Sequence, residues 1–190
     1  MPDRLVIGIS GSTGPIYGVR LLEVLSTYFP EVERHVILTK AARLTIDYEL
    51  GRSAEEVEAL GSVLHEEGNI GATIASGTFV TNGMVVAPCS SKTLSAIANS
   101  YNDSLISRAA DVCLKERRRL VLVVRETPLH LGHLRLMTQV TEAGAVVLPP
   151  SPAFYHRPAT VDDIVDHTIV KVLDLFGLHV EGLIDRWGGL

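Results

Sequence analysis

The stretch LVIGISGSTG, residues 5–14, is the first strongly patterned part of the chain and indicates its fold. Residues 5–9 form a short β-branched apolar run in which polar residues do not alternate. A strand that is apolar on both faces is typical of a parallel sheet covered by helices on both sides. A turn of glycines and hydroxyl residues follows, and an apolar stripe of helical period begins near Pro15. The stretch therefore predicts a strand, a loop and the start of a helix.

The same pattern recurs along the chain. Four more apolar runs cover residues 35–38, 84–87, 120–124 and 145–148. Segments of helical period separate the runs, and two carry the sequence of a capping box, at residues 53–56 and 160–163. Gly177 is expected to end the last helix. This alternation predicts an α/β fold with a doubly wound, mostly parallel sheet and helices on both faces, as in Rossmann and flavodoxin-like three-layer folds.

Length and spacing predict one domain over residues 1–190. Residues 61–82 are rich in Gly, Ser and Thr, and we interpret them as an excursion between two βα units. Residues from about 178 to 190 are expected to form an extended C-terminal arm, because glycines interrupt any periodicity there.

Composition excludes several classes of protein. With 46% apolar residues the chain is not disordered, and its 17 basic against 22 acidic residues (net charge −5) argue against a nucleic-acid binder. No apolar stretch reaches the roughly 18 residues of a membrane span, and no signal peptide is expected. Two cysteines fit a reducing compartment, so a cytoplasmic location is predicted.

Ligands of open parallel sheets bind beyond the carboxyl ends of the strands, so the residues that follow each apolar run are the candidates. Three of these loops are rich in glycine and hydroxyl groups. They contain Gly11, Ser12 and Thr13, then Thr39, then Ser90, Ser91, Lys92 and Thr93. A dinucleotide fingerprint and a P-loop are both absent from the sequence. Two interpretations stay open: a phosphate site at helix N-termini, or ordinary helix capping.

Charged and metal-ligating side chains supply further candidates. Arg125 and Glu126 directly follow a buried run, which suits a site pair or a salt bridge at the rim. Cys89 is either a nucleophile or a small buried residue. His130 and His133 lack an evident third ligand, so no metal site is predicted.

Taken together, the motifs resemble those of the UbiX-type flavin prenyltransferase family, nearly from end to end. The similarity lies in GSTG (11–14), TKAA (39–42), PCSSKT (88–93), RAAD (108–111), LKERR (114–118), RETP (125–128), PAFY (152–155) and RW (186–187). The resemblance implies FMN as bound flavin and dimethylallyl monophosphate as the prenyl donor, without a metal. The product would be prenylated FMN, made for a separate UbiD-type decarboxylase.

The resemblance also implies roles for individual residues. The flavin-contacting positions are matched by Gly11, Ser12, Thr13, Thr39, Ser90, Ser91, Lys92, Thr93 and Arg125. The positions that hold the donor are matched by Lys115, Arg125, Tyr155 and Lys171, with Trp187 lining an apolar pocket. Glu49, Glu126 and Thr13 match catalytic positions. Thr13 stands where the family commonly has Ser, and Lys171 keeps the charge of an Arg but loses its bidentate fork.

Members of this family form large symmetric particles with the flavin at subunit junctions. A large homo-oligomer is therefore expected, a dodecamer being one option, with Trp187 reaching a neighbour's site. Which decarboxylase is served, in ubiquinone synthesis or in aromatic-acid breakdown, is open at this point.

Two other functions are considered. One is an FMN-dependent cysteine decarboxylase of related fold, whose flavin would bleach with a cysteinyl substrate. The other is an accessory subunit of a hydroxyarylic acid decarboxylase, which that enzyme would need stoichiometrically.

Overall fold

The computed structural model describes residues 3–189. Met1, Pro2 and Leu190 lie outside the described residues, and with them the ends of the predicted domain and the last residue of the predicted arm.

One six-stranded sheet organises the described chain. Its strands are β1 (Arg4–Ile9), β2 (Glu33–Leu38), β3 (Val63–His65), β4 (Gly83–Cys89), β5 (Arg119–Val124) and β6 (Val146–Val147). The helices are α1 (Ile16–Tyr28), α2 (Lys40–Leu50), α3 (Ala54–Glu58), α4 (Ser91–Ala98), α5 (Leu105–Lys115), α6 (Leu131–Glu142) and α7 (Val161–Asp174), with a 3₁₀ turn at Thr73–Ala75. None of the described helices is both long enough and apolar enough to cross a membrane.

All strand pairs are parallel, in the order β3-β2-β1-β4-β5-β6. The chain winds outward from β1 in one direction and then from β4 in the other, so the switch point lies between these two strands. The predicted doubly wound sheet is confirmed. Successive residues of one strand serve opposite faces: Ile7 is buried in one core cluster, and Val6 is buried in the other. This two-sided burial explains why the strands read as continuous apolar runs.

The excursion predicted for residues 61–82 is partly wrong, because it contains the edge strand β3 and the 3₁₀ turn. This strand has only three residues and no apolar pattern of its own. It is a strand because it pairs with β2. The fifth predicted run also shortens: β6 covers Val146 and Val147, the N–H of Leu148 still donates to the carbonyl of Leu122 (2.8 Å), and two prolines follow directly.

The helix boundaries follow the predicted capping signals. Ser53 and Thr160 each begin a helix with a complete capping box, and Gly177, with φ +72°, follows the end of α7. Gly18 lets α1 lie flush on β4, because a Cβ there would sit 2.2 Å from the carbonyl oxygen of Ala87. This close contact holds the loop between β1 and α1 at the switch point.

Candidate functional site

Hydrogen bonds join the loops that follow β1, β4 and β5. The buried Ser10 hydroxyl donates to the carbonyl of Pro88 (2.8 Å) and accepts from the N–H of Ser90 (2.8 Å). The Ser12 hydroxyl donates to the backbone carbonyl of Arg125 (3.1 Å). The backbone N–H of Arg125 in turn donates to the carbonyl of Cys89 (3.2 Å). Three loops at the carboxyl edge therefore form one connected platform.

Two of the predicted hydroxyl residues are helix caps. The Thr39 side chain accepts from the N–H of Ala42 (3.0 Å) at the start of α2, and Ser90 accepts from Thr93 (3.3 Å) at the start of α4. The N–H groups of a first helical turn have no intrahelical acceptor. Since Ser90 takes the N–H of Thr93, those of Ser91 and Lys92 remain available to an anion at the positive end of α4. Capping and phosphate binding are thus compatible here.

A cavity of about 520 Å³ opens beside this platform. Such a volume is ordinary for a small-molecule site. The predicted residues that line it are Gly11, Ser12, Thr39, Ser90, Ser91, Lys92, Thr93 and Glu126. The structure thus brings together most of the flavin-contacting set, with one of the three predicted catalytic residues.

Glu126 enters the cavity as a carboxylate held by two donors. The Ser91 hydroxyl bonds to Oε2, and the N–H of Thr127 donates to Oε1 (3.1 Å). These two hydrogen bonds lower the pKa of Glu126 below its ordinary value, with smaller contributions from His133 and Arg125. The group is therefore ionised at neutral pH, which suits a proton acceptor rather than a donor.

Arg125 reaches the platform through its backbone, and its side chain lies outside the cavity lining. Burial raises the pKa of Tyr17 on α1, and the positive charge of Arg125 lowers it, so the guanidinium lies near that phenol. Among the described residues, no ion pair joins Arg125 to Glu126. The salt-bridge interpretation of this pair is therefore wrong for the described chain.

Glu49 and Thr13 lie beside the cavity rather than in its lining. Glu49, near the end of α2, accepts from the N–H of Gly14 at 2.9 Å. Gly14 has φ +88°, a left-handed conformation that glycine adopts without strain. The Glu49 carboxylate therefore ties α2 to the loop between β1 and α1, hereafter the first loop. Thr13 is exposed in that loop, next to Gly14.

Five polar residues of the cavity were not predicted as site residues: Lys40, Glu67, Asp103, Ser104 and Ser107. Glu67 accepts from the N–H of Lys40 (2.9 Å) at the start of α2, and its carbonyl accepts from Leu105 (2.8 Å) at the start of α5. Glu67 lies in the stretch interpreted as an excursion, where no local pattern indicates a site. The edge strand β3 alone brings it to the carboxyl edge.

The residues expected to hold the donor fall in two other regions of the chain. Tyr155 contacts His167 through its hydroxyl (2.8 Å) and packs edge-on to Trp187, with 5.5 Å between ring centroids. Lys171 is exposed one turn beyond His167, and its charge lowers the pKa of that imidazole after the larger effects of burial and His156. Tyr155, Lys171 and Trp187 thus form a second group outside the cavity lining.

Lys115 lies at the opposite edge of the sheet. It is the last residue of α5, which runs antiparallel to the strands and leads into the start of β5. Its ammonium pairs with Glu116 and lies against Gly77. Within a single chain Lys115 therefore lies away from the flavin loops.

The remaining candidates have structural roles in the described chain. Burial raises the pKa of Cys89 far above its ordinary value and that of Cys113 to about 12, so neither thiol is a ready nucleophile. His130 caps α6 by accepting from the N–H of Gly132 (3.0 Å), and its ring stacks on His133 at 3.7 Å. The described residues contain no cluster of three groups suited to a metal.

Comparison with known proteins agrees with this architecture. The model of the family described as Flavoprotein matches residues 2–173. The flavin prenyltransferase UbiX of Escherichia coli K12 is 57% identical over 187 residues, which cover 98% of each chain.

Two solved structures are similar over nearly the whole chain. The structure of AnUbiX (PadA1) in complex with FMN and dimethylallyl pyrophosphate superposes with a TM-score of 0.96 and 45% identity, covering 100% of both chains. A dodecameric FMN-dependent UbiX-like decarboxylase from Escherichia coli O157:H7 gives a TM-score of 0.95 and 48% identity, covering 98% of this chain and 100% of the other. The chain therefore belongs to the UbiX-type flavin prenyltransferases within the Flavoprotein family.

Proposed function

We propose that this protein is a flavin prenyltransferase that joins the dimethylallyl group of dimethylallyl monophosphate to N5 and C6 of reduced FMN. The observation that carries the proposal is the cavity at the carboxyl edge, where hydroxyls, unpaired N–H groups and the Glu126 carboxylate converge. Relatives that are 57% and 45% identical over 98% and 100% of the chain, the second solved with FMN, support the same assignment.

The donor set of the cavity fits the phosphate of a flavin. The N–H groups of Ser91 and Lys92, at the positive end of α4, would bind the FMN phosphate together with the neighbouring hydroxyls. Gly11 lets the first loop approach α2 closely, since a Cβ at this residue would overlap Ala41. When bound, reduced FMN supplies the nucleophilic N5 and C6 atoms of the reaction.

Glu126 is the residue best suited to take up the proton that leaves as the second bond closes. It is ionised at neutral pH and lines the cavity, so it can accept a proton without a preceding change of charge. The Ser91 hydroxyl and the N–H of Thr127 fix its orientation. Thr13, in the loop after β1, and Glu49, which is hydrogen-bonded to that loop, offer a further route for a proton.

Departure of the donor phosphate builds negative charge, which Arg125, Lys115 and Lys171 would stabilise. Lys115 cannot reach the cavity of its own chain, because α5 carries it to the opposite edge of the sheet. We therefore propose that neighbouring copies complete the site, with Lys115 and the Tyr155–Trp187 group facing a cavity of another chain. The dodecameric relative supports an assembly of this kind.

A mixed-subunit experiment tests the shared site. The variants Glu126→Gln and Lys115→Ala are expected to be inactive separately, because each removes one half of every site. Co-assembled in equal amounts, they should recover about a quarter of wild-type activity, since random assortment gives one site in four both intact halves. Activity that stays at the level of the separate variants would contradict a site built from two chains.

The donor and the recipient are tested separately. With EDTA present, dimethylallyl monophosphate should release one orthophosphate for each flavin consumed, while activity restricted to the diphosphate would contradict the proposed donor. The filtered product should activate a UbiD-type decarboxylase that lacks cofactor. If that enzyme instead requires this protein stoichiometrically, the protein is an accessory subunit.

A further inference from the structure

Tyr155 is held by a histidine from a different element of the fold. Its hydroxyl lies 2.8 Å from Nε2 of His167, on α7. The His167 ring is in turn stacked on His156, with 4.7 Å between centroids and 3° between planes. The Tyr155 and His167 rings also pack edge to face, with 5.7 Å between their centroids. The two side chains are therefore joined by a ring contact as well as by the hydrogen bond.

The direction of this hydrogen bond decides what Tyr155 can offer a ligand. A phenol has one proton to donate and also accepts through its oxygen. If Tyr155 donates to His167, only oxygen lone pairs face outward, and these repel phosphate oxygens. If His167 donates instead, the O–H of Tyr155 is free to donate to a phosphate.

We propose that His167 is a positioning residue for the prenyl donor: its Nε2–H donates to the Tyr155 oxygen and turns the phenolic O–H toward the phosphate. The proposal rests on the proposed function, in which Tyr155 binds that phosphate. It adds a residue that no sequence motif indicated, because α7 brings His167 to Tyr155 from 12 residues away.

The surroundings of His167 are consistent with a fixed neutral donor. Burial lowers its pKa, and the charges of His156 and Lys171 lower it further, so the ring is neutral at pH 7. A neutral imidazole carries one N–H, and the proposal places that proton on Nε2, where it faces the Tyr155 oxygen. Stacking on His156 fixes the plane of the ring, and Lys171 adds a positive charge on the same helix for the phosphate to approach.

The test is calorimetric titration of FMN-loaded protein with dimethylallyl monophosphate. His167→Phe keeps an aromatic ring on His156 but removes the donor, and should weaken donor binding about five- to tenfold, the usual effect of losing one hydrogen bond. His167→Gln keeps an N–H at similar reach and should bind within twofold of wild type. Equal binding by wild type and His167→Phe, or no recovery with His167→Gln, would overturn the proposal.

A double-mutant cycle separates positioning from general packing. In a Tyr155→Phe background the hydroxyl is absent, so His167→Phe should cause no further loss of binding. An equal loss in both backgrounds would mean that His167 acts through packing alone, against the proposal. Binding is read with oxidised FMN and turnover with reduced FMN. Donor binding without prenylated product under reducing conditions would contradict the proposed function, while the binding comparison still decides the role of His167.

Discussion

A methyl group on residue 11 has no room in the present arrangement of the cavity. The Cβ of alanine at Gly11 would lie 2.1 Å from the Cβ of Ala41 and 3.1 Å from the Ala41 backbone. Non-bonded carbons prefer about 3.5–4.0 Å, so the first loop and the start of α2 must separate by about 1.4 Å or more. Both segments line the cavity, and the Gly11→Ala change therefore acts on its shape.

Two quantities should respond to Gly11→Ala to different extents. Overpacking of this kind costs about 1–3 kcal/mol in the free energy of unfolding, which leaves the sheet folded. Losing one hydrogen bond to the charged FMN phosphate costs about 1.5–3 kcal/mol, so the Kd for FMN should rise by about one to two orders of magnitude. Quenching of flavin fluorescence measures this Kd, and urea denaturation measures the stability.

Two further variants control the experiment. Gly68→Ala is the matched control, because a Cβ at Gly68 meets no atom within 4 Å, and its FMN affinity should equal that of wild type. Ala41→Gly in the Gly11→Ala background removes the nearest overlap and should restore most of the affinity. If Gly11→Ala binds FMN as wild type does, or if Ala41→Gly restores nothing, the close approach does not shape the site.

Three other predictions concern a proton acceptor and two ion pairs. Glu126→Gln should lower kcat for prenylated flavin by about 10²- to 10⁴-fold with little change in FMN affinity, and unchanged kcat in a stopped assay would remove Glu126 as proton acceptor. The Asp174 carboxylate is paired with Arg186 (2.8 and 2.9 Å), and this lowers the pKa of Asp174 from 3.8 to about 2. The pair therefore stabilises the folded state above pH 3.8, and this stabilisation is lost as the pH falls toward 2. Fluorescence of the single tryptophan should therefore change across this range in wild type but not in Asp174→Asn, and equal curves would contradict the pairing. Asp166→Ala breaks a bidentate pair with Arg20 (2.6 and 3.0 Å) between α7 and α1. Urea denaturation should show that the free energy of unfolding falls by about 2–3 kcal/mol, and a fall below about 0.5 kcal/mol would mean that the pair contributes nothing.

The sheet was predictable because its physical cause lies in local sequence. Strands buried on both faces must be apolar throughout, and the run of residues 5–9 matches β1 to within one residue. The loops after these strands were predictable for a related reason, since parallel strands bring their carboxyl ends to one edge. The edge strand β3 was missed because its three residues owe their conformation to pairing with β2.

The grouping of the site residues could not be read from sequence in the same way. Motif order says nothing about which edge of the sheet a helix end reaches, and Lys115 lies at the far edge because α5 returns antiparallel to the strands. Glu67 and His167 were missed because each joins its group through tertiary contacts rather than through a local pattern.

The most direct test of the proposed function is the mass of the flavin after reaction. Purified protein, reduced FMN and dimethylallyl monophosphate are incubated anaerobically with EDTA, and the flavin is released and weighed by mass spectrometry. The proposed prenyl transfer gives a flavin heavier by one C5 unit in wild type and much less of it in Glu126→Gln. A flavin of unchanged mass in the wild-type reaction would contradict it.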